Sequence, residues 1–296
     1  MKKNFSLRYA LMALVLLTGF WSLQSCNRDS DLPAPPVNET TDKGHEEWAK
    51  VTFKFTKGHL HGSSFHGDPI NPKTKYFTSV QEISYQIDDK GNVVADTDQP
   101  IRFIQGMEYG LEITYYNKKG EIVNQEFVSE AMAPLHQHFF LVKNAKSLDA
   151  KPVTKTTTDI LDYTYRDTVP WDKMIRYGGE LRDPKDPIGL KGYFSVKEKY
   201  VTFDLNVILV HVIKGTKLDD SGNPYPFHNP SRRILGVQDL NLNIPVKVYA
   251  AHPEGDYGID DLIKDIAKEF GISYEEAEKD WDESFEAPHD SSKYWL

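Results

Sequence analysis

Val201-Thr-Phe-Asp-Leu-Asn-Val207 and Leu240-Asn-Leu-Asn-Ile-Pro-Val-Lys-Val248 place an apolar residue at every second position, odd-numbered in the first run and even-numbered in the second. Side chains along a strand alternate between its two faces, so each run predicts a β-strand with one face toward a core. Pro245 interrupts the second run and has no N–H for a ladder, which predicts an edge position or a bulge there. Outward from these runs the same period recurs. Val51, Phe53 and Phe55 alternate with Thr52, Lys54 and Thr56, and strand patterns follow over 81–87, 101–104, 109–116, 121–128 and 136–142. Turn signals such as Asp88-Asp-Lys-Gly-Asn92 and Asn117-Lys-Lys-Gly120 separate them.

A second set of strand patterns covers 160–166, 190–196, 200–213 and 237–249, with a loop rich in Asp, Pro and Gly over 167–189. The period then changes. Ile259, Leu262, Ile263, Ile266, Ala267 and Phe270 fall on one helical face ended by Gly271, and Ser273 with Glu276 opens a second helix. The expected fold is mostly β: two immunoglobulin-like β-sandwich domains, 47–148 and 149–252, followed by a helical hairpin and tail over 253–296.

The N-terminus reads as an export signal, with Lys2, Lys3 and Arg8 preceding the apolar run from Tyr9 to Phe20. Leu23-Gln24-Ser25-Cys26 resembles a lipobox, which implies cleavage after residue 25 and a lipid on Cys26. Residues 26–46 then form a tether stiffened by Pro33, Pro35 and Pro36. Cys26 is the chain's one cysteine, so thiolate metal sites and disulfides are excluded once it is acylated. Removing residues 1–25 takes away three basic residues and no acidic ones, which moves the net charge from −9 to −12. So acidic a chain is a poor partner for nucleic acid. The acidic stretch Asn27-Arg-Asp-Ser-Asp31 resembles the signal that sends lipoproteins to the cell surface, placing the protein on the outer membrane.

Five of the ten histidines lie in the first β-rich stretch: His59 and His61 in Gly58-His-Leu-His-Gly62, His66, and His136 and His138 at the start of a late strand. Residues two apart on a strand share a face, so each His-x-His pair presents two imidazoles side by side. Imidazole nitrogen is a donor for zinc and copper, and two pairs meeting at a sandwich edge would supply four ligands. His59, His61, His136 and His138, with His66 as alternate, are therefore the expected ligands of zinc or copper, with haem a less favoured cargo. His211 lies on the apolar face of its strand and reads as a core histidine. His45, His252 and His289 sit in linker-like contexts. No G-x-S-x-G elbow, H-E-x-x-H helix or P-loop is present, so no enzyme is expected. The competing reading is an interaction module for a protein or glycan, with Trp171, Tyr225, Phe227 and His228 as the contact surface.

The stretch from Leu111 through Val128-Ser-Glu-Ala-Met132 to His136-Gln-His-Phe-Phe140 resembles a Bacteroidota cell-envelope lipoprotein group with a β-sandwich and an HQFF-like strand. The likeness covers residues 47–145, and here His138 stands between the glutamine and the phenylalanines. The resemblance implies location and fold. Together with the histidines, the membrane tether suggests delivery of a metal to a TonB-dependent transporter.

Overall fold

The computed structural model describes residues 47–213, 216–231, 237–251 and 256–296. Cys26, the signal segment, the tether, His45 and His252 lie outside the described residues. Among those described, no helix is long and apolar enough to cross a membrane.

The two diagnostic runs form β12 (Val201–His211) and β13 (Val237–Ala251), paired antiparallel. Odd residues of one face even residues of the other, as in Phe203 opposite Val246 and Leu205 opposite Ile244, and all four are buried in one core. On the other side of β12 lies β7 (His136–Ser147), and on the other side of β13 lies β5 (Ile101–Gln105), which runs parallel to it. Pro245 is neither on an edge strand nor at a bulge: β13 lies between β5 and β12, Pro245 pairs with Asp204 in regular register, and the pairing with β5 begins at the next residue, Val246.

The second sheet is seven-stranded. Its order is β4 (Val93–Ala95), β3 (Val80–Ile87), β1 (Lys50–His61), β6 (Glu108–Tyr116), β11 (Lys191–Val196) and β8 (Leu161–Tyr165), with β2 (Ser64–Gly67) paired to the end of β1. The short strands β9 (Thr168–Val169) and β10 (Glu180–Leu181) pair within the 167–189 loop. Asp167 anchors that loop, because its carboxylate accepts hydrogen bonds from the backbone N–H groups of Ile188, Gly189, Leu190 and Lys191.

The protein is mostly β, as expected, but the expected boundary at residue 148 does not follow the sheets. Strands β8 and β11 of the later segment complete the sheet built on β1, while β5 and β7 of the earlier segment flank β12 and β13. One hydrophobic cluster joins Phe53 and Phe55 of the first sheet to Phe103, Phe140, Leu205 and Ile244 of the other. Residues 44–296 form a single unit, and the parallel β5–β13 pair departs from an all-antiparallel immunoglobulin arrangement.

The strand expected over 121–128 is instead a short helix, α1 (Asn124–Val128). Val123 and Phe127, four apart, are the buried apolar residues, and the Asn124 side chain takes the place of a strand partner. It accepts from the N–H of Tyr115 and donates to the carbonyl of Ile113, both at 2.7 Å. A second short helix, α2 (Thr157–Ile160), leads into β8. The C-terminal helices form where the 3.6 period places them, α3 (Asp256–Phe270) and α4 (Tyr274–Glu283), with Gly271 at φ 65° between them and the Ser273 hydroxyl accepting from the N–H of Glu276.

Candidate metal centres

Strands β3 and β6 end opposite Thr56 and Gly58 of β1, so His59–His61 runs on as an arm paired with β2. The arm turns through Gly62, at φ 66°, and Ser63, a two-residue loop with glycine at its first position. That register sets His59 opposite His66, and His61 lies two residues farther along the same face. The ring centroids of His59 lie 4.9 Å from His61 and 5.1 Å from His66, and one nitrogen from each of the three rings falls within 4.8 Å of the others.

Two neighbours set the chemistry of this face. Asp68 accepts a hydrogen bond from His59 Nδ1 at 2.9 Å, which in the neutral ring leaves the lone pair on Nε2, 3.2 Å from His61 Nε2. A carboxylate holding the far nitrogen of a histidine is a recurrent support of metal ligands. His66 is completely buried, and neither of its ring nitrogens makes a hydrogen bond among the described residues. Burial, reinforced by neighbouring His59 and His289 and opposed by Asp290, pushes its pKa down to about 4. Its ring is therefore neutral at pH 7, the form a metal takes.

The C-terminal tail closes over this arm. Phe65 and Leu296 exchange backbone hydrogen bonds of 2.7 and 2.9 Å, and Gly67 donates to the carbonyl of Tyr294, so the tail extends the hairpin as a third strand. Tyr294 is buried and its hydroxyl donates to the carbonyl of Leu111, its ring lying where a Cβ on Gly110 would collide with it at 2.3 Å. Trp295 stacks on His66 at 3.9 Å and on His61 at 5.6 Å, and the guanidinium of Arg176 lies 4.7 Å from its ring centroid. The same fold brings His289 and Asp290 to the other side of His66, where these three again offer ligand atoms within 4.8 Å.

The expected meeting of the two His-x-His pairs does not occur. Among the described residues His138 belongs to no ligand grouping: its Nδ1 donates to the carbonyl of Ile188 at 2.8 Å, and its Nε2 accepts from the hydroxyl of Tyr115 at 2.7 Å. Burial, only partly opposed by the Ile188 hydrogen bond, lowers its pKa to about 3. It is a neutral core histidine. His136 instead groups with His211 and Asp239. His136 and His138 do share a face, yet each faces a different neighbour.

Sequence reasoning missed Asp68, His289, Asp290, Asp239 and the ligand potential of His211. The hairpin itself was readable, since His61-Gly62-Ser63-Ser64 fits a two-residue turn and fixes His59 opposite His66. The tail residues gave no local signal. The proposed contact surface changes too: Phe227 is buried against Tyr163 and its carbonyl accepts from the N–H of Phe140, while Tyr225, partly buried, accepts from the Gln137 side chain through its carbonyl. Trp171 and His228 are half-buried. No protein-family model, curated protein or solved structure matches the chain.

Proposed function

We propose that this protein is a non-enzymatic, lipid-tethered metal-binding protein of the bacterial envelope, and that its His59–His61–His66 arm holds one zinc or copper ion. The observation that carries this reading is the buried His66, whose neutral ring has no hydrogen-bond partner among the described residues and offers a nitrogen within 4.8 Å of those of two further imidazoles. An orphaned buried polar group costs about 1–3 kcal/mol, and an ion bound to its lone pair offsets that cost. His289 and Asp290 group with His66 separately from His59 and His61, so the arm itself supplies three ligands to the ion. A bare ion fits better than haem, because the Trp295 ring lies flat on His66 where a porphyrin would have to enter.

The tether through Cys26 and the likeness to Bacteroidota envelope lipoproteins support an outer-membrane, surface-facing location and transfer of the ion to a TonB-dependent transporter. Titration of the folded chain with zinc or copper against a chromophoric chelator tests the reading. One equivalent is expected to bind and to be lost in His59→Ala/His61→Ala, whose replaced side chains lie outside the core. Equal affinity in the variant and the parent rules the arm out as the site.

A further inference from the structure

The indole of Trp295 closes one side of the histidine arm. Trp295 meets His66 in an isolated antiparallel bridge, its carbonyl accepts from the N–H of Ile175, and Leu296 beside it exchanges backbone hydrogen bonds with Phe65. Its ring is stacked on His66, with centroids 3.9 Å apart and planes at 21°, and on His61, at 5.6 Å and 14°. Rings stacked on opposite faces of the indole would be separated by two contact distances of about 3.5 Å each. The two imidazoles stand only 5.6 Å apart, so both lie on one face, and His59 crosses them at 68° and 74°.

An imidazole lone pair lies in the plane of its ring. An ion shared by His61 and His66 therefore lies close to both ring planes, and because those planes run almost parallel to the indole, the ion faces the π surface of Trp295. The indole Nε1 is buried and makes no hydrogen bond among the described residues, although a buried tryptophan usually finds a partner for it. The ring is thus placed by its faces and not by its donor. The guanidinium of Arg176, 4.7 Å from the ring centroid, is compensated by Asp290 at 3.3 Å and sets no unpaired charge against an ion here. The grouping itself consists of three imidazoles without a carboxylate, Asp68 being bound to the far nitrogen of His59.

These features favour one oxidation state of one metal. Zinc takes four ligands in a tetrahedron, and the carbon face of an indole does not replace the fourth oxygen or nitrogen donor. Three neutral nitrogens also leave both charges of a divalent ion uncompensated. Copper(I) is monovalent, soft and satisfied by three donors, and a cation over a tryptophan face is attracted by the ring quadrupole. We infer that the arm is selective for copper(I), held by His59, His61 and His66 with the indole face of Trp295 against its remaining side. This rests on the reading that the arm binds an ion, and adds which ion it is and which further residue selects it.

The test uses the folded full chain in the absence of oxygen. Copper(I) is titrated against bicinchoninate, and zinc against a chromophoric chelator, in the parent, Trp295→Leu, Trp295→Phe and His59→Ala/His61→Ala. The parent is expected to bind copper(I) more tightly than zinc. Trp295→Leu is expected to weaken copper(I) by about tenfold and to leave zinc within about twofold, whereas Trp295→Phe, which keeps an aromatic face, retains most of the copper(I) affinity. Copper(I) is also expected to quench indole emission in the parent, and the share of that quenching due to Trp295 is absent from Trp295→Phe. Equal losses of copper(I) and zinc in Trp295→Leu, or no loss of either, overturn the inference and leave the arm a metal site. So does unaltered quenching in Trp295→Phe, which decides the question if Trp295→Leu does not fold. Affinities for both ions that survive His59→Ala/His61→Ala unchanged remove the arm as the site, and this inference with it.

Discussion

Asp68 hydrogen-bonds to His59 and so fixes the direction in which that ring presents its lone pair. Asp68→Asn retains the shape and removes the charge, and supports of this kind are worth about 10–100-fold in metal affinity. A loss of that size is expected in competition titrations, with Tm within a few degrees of the parent. Unaltered affinity would show that His59 needs no such support. Gly58 acts through space: a Cβ there would lie 2.2 Å from the carbonyl oxygen of His66 and 2.5 Å from the Phe65 ring. Gly58→Ala is therefore expected to displace β2, lowering both Tm and metal affinity, whereas substitution at the nearby exposed Leu60 leaves both unchanged. At this scale the sequence was legible in part. The parity of His-x-His pairs was correct, because alternation is a local property of extended backbone. Which partner each ring meets was not, because Tyr115, Ile188 and Asp239 come from elsewhere in the chain.

Asp280 makes three of the hydrogen bonds that hold helix α4 to the 71–77 loop, beside those of Tyr76 to Glu276 and of Asn71 to the carbonyl of Glu283. Both Asp280 oxygens face that loop, accepting from the N–H groups of Lys75, Tyr76 and Phe77 at 2.8–2.9 Å, and the residue is buried. Hydrogen bonds to a charged acceptor are worth about 1.5–3 kcal/mol each, though not additively, and loss of this acceptor leaves three donors to find water. Asp280→Ala is expected to lower the unfolding free energy by about 3 kcal/mol, measured by urea denaturation. A change below about 1 kcal/mol would mean that apolar contacts such as Phe77 against Trp281 suffice to hold the helix. The helices were readable from their period and caps, which are local. The 121–128 segment was misjudged because a buried Asn124 bridging Ile113 and Tyr115 satisfies the edge of β6 without adding a strand.

Across the whole molecule, the core is rich in buried tyrosine. Burial holds Tyr85 up to about 12, and it drives Tyr109, Tyr115, Tyr163, Tyr165 and Tyr294 higher still. In the unfolded chain these hydroxyls ionise near pH 10. Above that pH the folded state keeps protons that the unfolded state has lost, so stability is full below pH 10 and falls as pH rises through 12 and beyond. The slope is about 1.4 kcal/mol per pH unit for each such tyrosine. Tyrosinate absorbance from these residues is expected to appear in one step with the loss of far-UV circular dichroism. Gradual ionisation near pH 10 with the fold intact would contradict their burial.

The alternation of Val201–Val207 and Leu240–Val248 by itself determined that these segments are strands and which residues face the core. The period near the C-terminus likewise determined two helices. These are short-range consequences of backbone geometry and of the need to bury apolar side chains. Tertiary structure alone decided that β5 runs parallel beside β13, that β6 pairs with β11, and that the two halves interleave into one body. It also decided the site. Tail residues Tyr294 and Leu296 pack into the core and bring His289 and Asp290 to His66. Many partners could bury the same apolar faces, so the choice among them depends on the packing of the whole chain.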